Sequence, residues 1–346
     1  MGGMSGRTVV RRSLLAFAAL VVVATVHGVP GAPTSSRAAS DAIHEMQPIG
    51  KTAAVAAGQP PLTYQTADAP VETAPVIYAV FWGQQWQVGW TDVSSSGRTY
   101  TSAQAMQYLT GFLSYIGGTA TSWFGSQTQY CSGVPVGTVN CGSSGAHVGN
   151  PPVFGGSWVD TTSTPPPPVV PDNCAAVVCV NGANQSNVLA QEALQAEKHF
   201  GYNANADYVI LLPKATATPG YGVYCAYHSN TVDSSGRKVA YTNMPYVLDV
   251  SSGCGANFVN RSDNAFGNGY MDGYSIVAGH EIAEAATDAT PSNALAWLDS
   301  NGEETGDKCA WIAPGSDGGA YNIGPDAGGH VYAVQSLWSN LANDCV

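Results

Sequence analysis

The stretch Gly279-His280-Glu281-Ile282-Ala283-Glu284-Ala285-Ala286-Thr287-Asp288-Ala289-Thr290-Pro291 constrains this chain more than any other. His280 and Glu284 stand four apart, so on an α-helix they project from one face, one above the other. Glu281 sits beside them. The flanking residues are mostly Ala, Ile, Gly and Val, which suit a largely buried helix, where a charge needs a partner. The layout is that of the metalloprotease helix H-E-x-x-H, with a carboxylate where the second histidine would be. Four of the chain's eight glutamates, Glu281, Glu284, Glu303 and Glu304, fall in this short region. The competing reading is a polar helix face with no ligand, on which the three side chains are decoration.

The N-terminus reads as an export signal. Arg7, Arg11 and Arg12 precede an apolar run from Leu14 to Val26, too short for a comfortable membrane span, and small residues and Pro follow. Arg11-Arg12-Ser13-Leu14-Leu15 resembles a twin-arginine signal, and an ordinary Sec signal fits as well. The expected organisation is a signal peptide over 1–38, a mobile arm or pro-segment over 39–73, and one domain over 74–346. A secreted, extracellular protein follows, with no stable membrane anchor after cleavage. All eight cysteines lie beyond the leader, an even count that in an exported chain suggests four disulfides. Nearest-neighbour pairing gives 131–141, 174–179, 225–254 and 309–345. A cysteine metal site is the lesser alternative, because no C-x-x-C pair occurs.

Charge narrows the partners. The formal net charge is −12, and four of the twelve Lys and Arg are in the leader. No basic patch can be built from the rest, which argues against nucleic acid. A monomer acting on a peptide, protein or cell-wall substrate is the expectation.

Along the chain, Pro75–Gly83 and Asp207–Pro213 read as buried strands. Thr101–Ile116 and Ser186–Phe200 read as amphipathic helices, the first capped by Ser102 and ended by Gly117-Gly118. Tyr221–His228 and Val239–Val250 read as a β-ribbon joined by the turn at 233–237. From Ser122 to Pro171 short strands and long loops are expected, and the central helix spans about Asp272 to Thr287 before Pro291 halts it. Strands alternating with helices predict a loop-rich, disulfide-stapled α/β or α+β domain, a mixed sheet packed by helices including the H-E-x-x-E helix.

A zinc hydrolase needs three protein ligands, an open position for water and a base. His280 and Glu284 supply two ligands and Glu281 is placed to be the base. Glu304 and Asp307 are the candidates for the third ligand, with Asp288 and Asp299 behind them. His228 is a candidate fourth ligand or transition-state donor, with a structural role as the alternative. One histidine and two carboxylates leave a zinc site neutral, hence a weaker Lewis acid, and suit Mn²⁺ or Ca²⁺ better than a two-histidine site does. Zn²⁺ is the first expectation, with Mn²⁺ or Ca²⁺ open. The functional expectation is a secreted metal-dependent hydrolase, a zinc metallopeptidase. The alternative is a non-catalytic extracellular or wall-associated binding protein with a structural metal site or none.

Four stretches resemble the phosphate-induced protein 1 family, the Exordium-like proteins of plants and their bacterial relatives. Val76-Ile-Tyr-Ala-Val-Phe-Trp-Gly83 is similar to the family's opening strand, and Cys225-Ala-Tyr-His228 to its Cys-Gly-x-His strand. Asp272-Gly273 followed by Gly279-His-Glu-Ile-Ala-Glu-Ala-Ala-Thr-Asp288 resembles its Asp-Gly…His-Glu-Leu-Ala-Glu helix. Glu304-Thr-Gly-Asp307-Lys-Cys309, with Cys345, resembles its ending. The resemblance implies an extracellular, wall-associated protein, and it supports Glu304, Asp307 and the 309–345 disulfide. Plant members are linked to growth responses and some lack the His-Glu motif, so it implies the scaffold without fixing an activity.

Overall fold

The computed structural model describes residues 44–50, 58–119, 121–165, 179–180, 183–216, 224–249 and 251–346. The expected signal peptide and Cys174, and with it the 174–179 pair, lie outside them.

Six strands form the central sheet: β1 (His44–Met46), β2 (Val76–Trp82), β3 (Val153–Asp160), β4 (Ala206–Leu211), β5 (Ala226–Val232) and β6 (Lys238–Met244), in the order β1-β5-β6-β4-β2-β3. β3, β2, β4 and β6 run parallel; β5 is antiparallel to β6, and β1 is antiparallel to β5. Alternation explains the two faces. Ile77, Ala79 and Phe81 of β2 join the larger core beneath the sheet, whereas Val80 and Trp82 join a smaller one above it. Helices α1 (Ser102–Gly118) and α3 (Asp272–Thr287) contribute to the larger core, and α2 (Gln185–Phe200) packs Leu189, Ala193 and Ala196 into the smaller. This is a mixed α/β domain, as the alternation of elements leads one to expect.

Several expectations are corrected. The arm over 39–73 is not an appendage where it is described: β1 completes the sheet, Thr63–Tyr64 pairs with Trp297–Leu298, and Met46, Leu62, Tyr64 and Val71 are buried. Strands of two or three residues carry too little periodicity to be read from sequence. The glycine-rich stretch after Ser122 hides the eight-residue β3. Gly155 in it is required by contact, since a Cβ there would run into the Tyr78 ring. The ribbon turns at Asp233–Gly236, which extends β5 to Val232, so His228 sits mid-strand rather than at a strand end. Thr101, not Ser102, caps α1: its hydroxyl accepts from Gln104 N–H while the Gln104 side chain accepts from Thr101 N–H.

Three disulfides, Cys131–Cys141, Cys225–Cys254 and Cys309–Cys345, follow the nearest-neighbour pattern. They fit an oxidising, extracellular environment. Among the described residues, no helix is long and apolar enough to cross a membrane. Cys309–Cys345 spans 36 residues and ties the turn at Asp307–Cys309 to the C-terminal strand. Replacing both cysteines by Ser is expected to cost about 2–5 kcal/mol in chemical denaturation.

Candidate metal centre

Every residue of α3 is buried. Ala, Gly, Ile and Val let it fit between the sheet and the C-terminal loops, and Asp272 fixes its start by accepting from the N–H groups of Val259, Asn260 and Gly269. Gly279 gives room for the Trp123 indole, whose N–H donates to Gln335 O at 2.7 Å. The helix therefore carries His280, Glu281 and Glu284 into the interior, each 0% exposed.

β5 lays His228 over α3. His228 Nδ1 is 3.3 Å from Glu281 Oε2 and 3.6 Å from Glu284 Oε2, and its Nε2 is 3.6 Å from Glu304 Oε2. The downstream acidic loop closes the other side. Its backbone amides at Gly306 and Asp307 donate to Glu284 Oε1 at 3.1 and 3.0 Å. His280 Nε2 lies 3.1 Å from Glu284 Oε1 and 3.5 Å from Asp307 Oδ1. His228, His280, Glu281, Glu284, Glu304 and Asp307 thus meet in one place. Within it, one donor atom each from His280, Glu281 and Glu284 lie within 4.8 Å of one another, and so do those of His228, Glu284 and Glu304. Glu284 belongs to both groups. Asp299 is elsewhere: it pairs with buried Lys308 at 2.9 Å, and Lys308 also donates to Gln59 Oε1 and Pro60 O. Asp288 is buried nearby but belongs to neither group.

Two residues that the sequence did not flag orient the site. Gln335 Nε2 donates to Gly306 O at 2.7 Å, so its Oε1 is the acceptor for His280 Nδ1 at 3.2 Å. A histidine that donates from Nδ1 presents a lone pair at Nε2. Here that lone pair faces oxygens of Glu284 and Asp307, an arrangement that requires a proton or a cation between them. Gly306 is needed because the loop passes so close: a Cβ would lie 2.7 Å from His280 Nδ1 and 2.8 Å from Glu284 Oε1. Gly306→Ala is expected to destabilise the protein by about 1–3 kcal/mol in chemical denaturation and to weaken cation binding through the displaced loop. The glycine is visible in the Glu-Thr-Gly-Asp stretch, whereas nothing local marks Gln335.

Electrostatics agree with the geometry. Burial pushes the Glu281 and Glu304 carboxyls well above the usual range and raises Glu284 too. Burial alone would lower the His280 imidazole, but Glu284, Asp307 and Glu281 around it hold it well above its ordinary value. Glu281 Oε1, Glu284 Oε2 and His280 Nε2 are buried without a hydrogen-bond partner. Among the described residues no Lys or Arg pairs with Glu281 or Glu284. The donors around His280 fit a divalent cation: donors bound at about 2.1 Å to one tetrahedral ion stand roughly 3.4 Å apart, close to the 3.1 and 3.5 Å from His280 Nε2 to Glu284 Oε1 and Asp307 Oδ1. These buried His and Glu groups can hold a metal ion, and the donors alone do not select which.

Compared with known proteins, the chain matches no family model, no curated protein and no solved structure.

Proposed function

We propose that this is a secreted metal-dependent hydrolase acting on polypeptide, with zinc as the first choice of cation and Mn²⁺ or Ca²⁺ as alternatives. The observation that carries the reading is the His280 Nε2 lone pair aimed at Glu284 and Asp307 carboxylate oxygens, with Nδ1 committed to Gln335. His280 and Glu284 are the helix ligands. Asp307 and Glu304 offer the downstream carboxylate, and His228 stands opposite. A cation held there would supply Lewis-acid polarisation of the substrate carbonyl. With a cation bound to hold its carboxyl ionised, Glu281 would take the proton of the attacking water at Oε1, which has no hydrogen-bond partner, and return it to the leaving amine. His228, held by Glu281, is placed to donate to developing negative charge. The motif resemblance to Exordium-like proteins supports an extracellular setting and is independent of the catalytic roles.

The second reading is a closed structural cation site in an extracellular binding protein. The observation favouring it is burial: His228, His280, Glu281, Glu284 and Glu304 are 0–1% exposed, whereas catalytic metal sites keep a position open. Metal analysis paired with Glu281→Gln separates the two. The hydrolase reading expects bound cation in both proteins and a fall of about 10²–10⁴-fold in peptide hydrolysis for the variant. Bound cation with no hydrolysis by the wild-type protein gives the structural reading, and absence of cation overturns both.

A further inference from the structure

The face of the sheet away from the His–Glu cluster carries a second pair of buried carboxyls, and one of them lines a cavity. β2 and β3 run parallel and end together, with Trp82 beside Asp160. Ligands of open α/β sheets settle outside such carboxyl ends. One face of α2, with Val188, Gln191, Glu192 and Gln195 spaced at helical intervals, covers this end. Together with Trp82 and Ser163 these residues line a cavity of about 390 Å³, the size of a small organic ligand.

Glu192 is the acid of this lining and is 2% exposed; Asp160, 0% exposed, adjoins it. Each carboxyl is half satisfied. Glu192 Oε2 accepts from the Ser163 hydroxyl at 3.2 Å, and Ser163 Oγ accepts in turn from the Trp82 indole N–H at 2.6 Å. Asp160 Oδ1 accepts from the Thr162 N–H at 2.7 Å. Glu192 Oε1 and Asp160 Oδ2 have no hydrogen-bond partner. Two adjacent carboxyls out of water resist ionising together, so a proton or another cation must stand with them. Burial, with the Asp160 carboxylate beside it, pushes Glu192 up to about 8, so at neutral pH Glu192 keeps that proton. Asp160 of β3 is the titratable group facing it. Trp82 of β2, Ser163 of the following loop and Gln191 and Gln195 of α2 bring only neutral groups.

We propose that this cavity binds a small primary amine as its ammonium, with Glu192 as the counter-anion and Asp160 adding negative charge beside it. The site is separate from the metal cluster and stands or falls without it. The lining selects the ligand. Among the described residues no Lys, Arg or His lines the cavity, which disfavours an anion. Calcium asks for six to eight oxygens, more than two carboxyls and a hydroxyl supply. An ammonium has three N–H bonds to satisfy, and Glu192, the Ser163 hydroxyl and the Gln191 and Gln195 amide oxygens are acceptors for them. Trp82 and Val188 offer apolar surface to the carbon body. Binding is an exchange: Glu192 gives its proton to solvent, and the ammonium takes the proton's place beside the carboxylate. A lysine side chain and an amino sugar both carry this group.

The test titrates the full chain calorimetrically with Nα-acetyl-lysinamide and, separately, with glucosamine, in two buffers of different ionisation heat. Glucose and Ca²⁺ serve as controls. At least one amine is expected to bind at pH 7 with release of about one proton, and to bind about ten-fold tighter at pH 7 than at pH 6, because it competes with the proton on Glu192. The arm that binds names the source of the ammonium. Glu192→Gln, which keeps the shape and deletes the anion, is expected to weaken binding at pH 8 at least about ten-fold and to abolish both proton release and pH dependence. Val188→Trp fills the cavity without touching the carboxyls; it is expected to block binding and carries the test if Glu192→Gln does not fold. Neither amine binding at millimolar concentration, binding without proton release, affinity unchanged in the folded variants, or glucose or Ca²⁺ held as tightly as the amines overturns the proposal.

Discussion

Stripped of cations and then supplied with Zn²⁺ or Mn²⁺, the protein is expected to melt at a higher temperature, and Glu284→Gln is expected to cancel the gain. Glu284 is the residue common to both donor groups. Its Oε1 is turned toward the loop by two backbone N–H donors, and its Oε2 has no hydrogen-bond partner. Glutamine keeps the shape and can still accept from Gly306 and Asp307, but it brings no charge to neutralise a cation. At a hundred-fold excess over Kd, binding stabilises by about 2.7 kcal/mol, which in a domain of this size is roughly 4–5 °C. Without cation the order reverses. The variant lacks a buried carboxyl that burial penalises, so it should melt at or above the stripped wild-type protein. A wild-type protein indifferent to every divalent cation, or a variant that gains as much as wild type, contradicts the metal reading.

The parts of this site that were legible in the sequence are those fixed by local geometry. Helical spacing places His280, Glu281 and Glu284 together whatever the rest of the chain does. The short connection from α3 keeps Glu304 and Asp307 within reach. His228 could be named from its neighbours but not placed, because its position depends on how far β5 extends before the turn. Gln335 was invisible for a stronger reason: its role exists only after the C-terminal segment folds back across α3, and no local pattern marks a lone glutamine for that. The same limit hid β1, whose place in the sheet depends on pairing with β5. It also hid β3, where Gly155 makes room for Tyr78 and the Gly155-Gly156 pair mimics a loop. Cystine pairing fared better where it could be seen, since closely spaced cysteines in loop-rich sequence meet at small cost in chain entropy.

Metal-free protein is expected to lose stability as pH rises from about 4 to about 8, and bound cation is expected to flatten that fall. Burial raises Asp207 to about 7 and Glu192 to about 8, the latter helped by neighbouring Asp160; burial also raises Asp288 to about 8, with Glu284 adding to it. In each case the folded protein holds its proton more tightly than the unfolded chain, which releases it near pH 4. Stability from these groups is therefore complete below about pH 4 and is lost as pH climbs through 7–8. Glu281 and Glu304 act in the same sense. So does His280, whose raised value means that its contribution is present below its unfolded value and lost above the folded one. Asp326, lowered to about 2 by its hydrogen bonds, pulls the other way, but its exposure limits its weight. With one pKa unit worth about 1.4 kcal/mol, the combined fall is on the order of several kcal/mol. A cation removes only the part that comes from the cluster, because its carboxylates then ionise against a positive charge instead of one another. Glu192 is on α2, which packs into the smaller core on the opposite face of the sheet, so its share persists. Chemical denaturation at pH 5 and pH 8, with chelator and with cation, reads both components. A metal-free protein whose stability is flat or rises over that range would contradict the burial of these carboxyls, and equal falls with and without cation would show that the cluster is not where the cation binds.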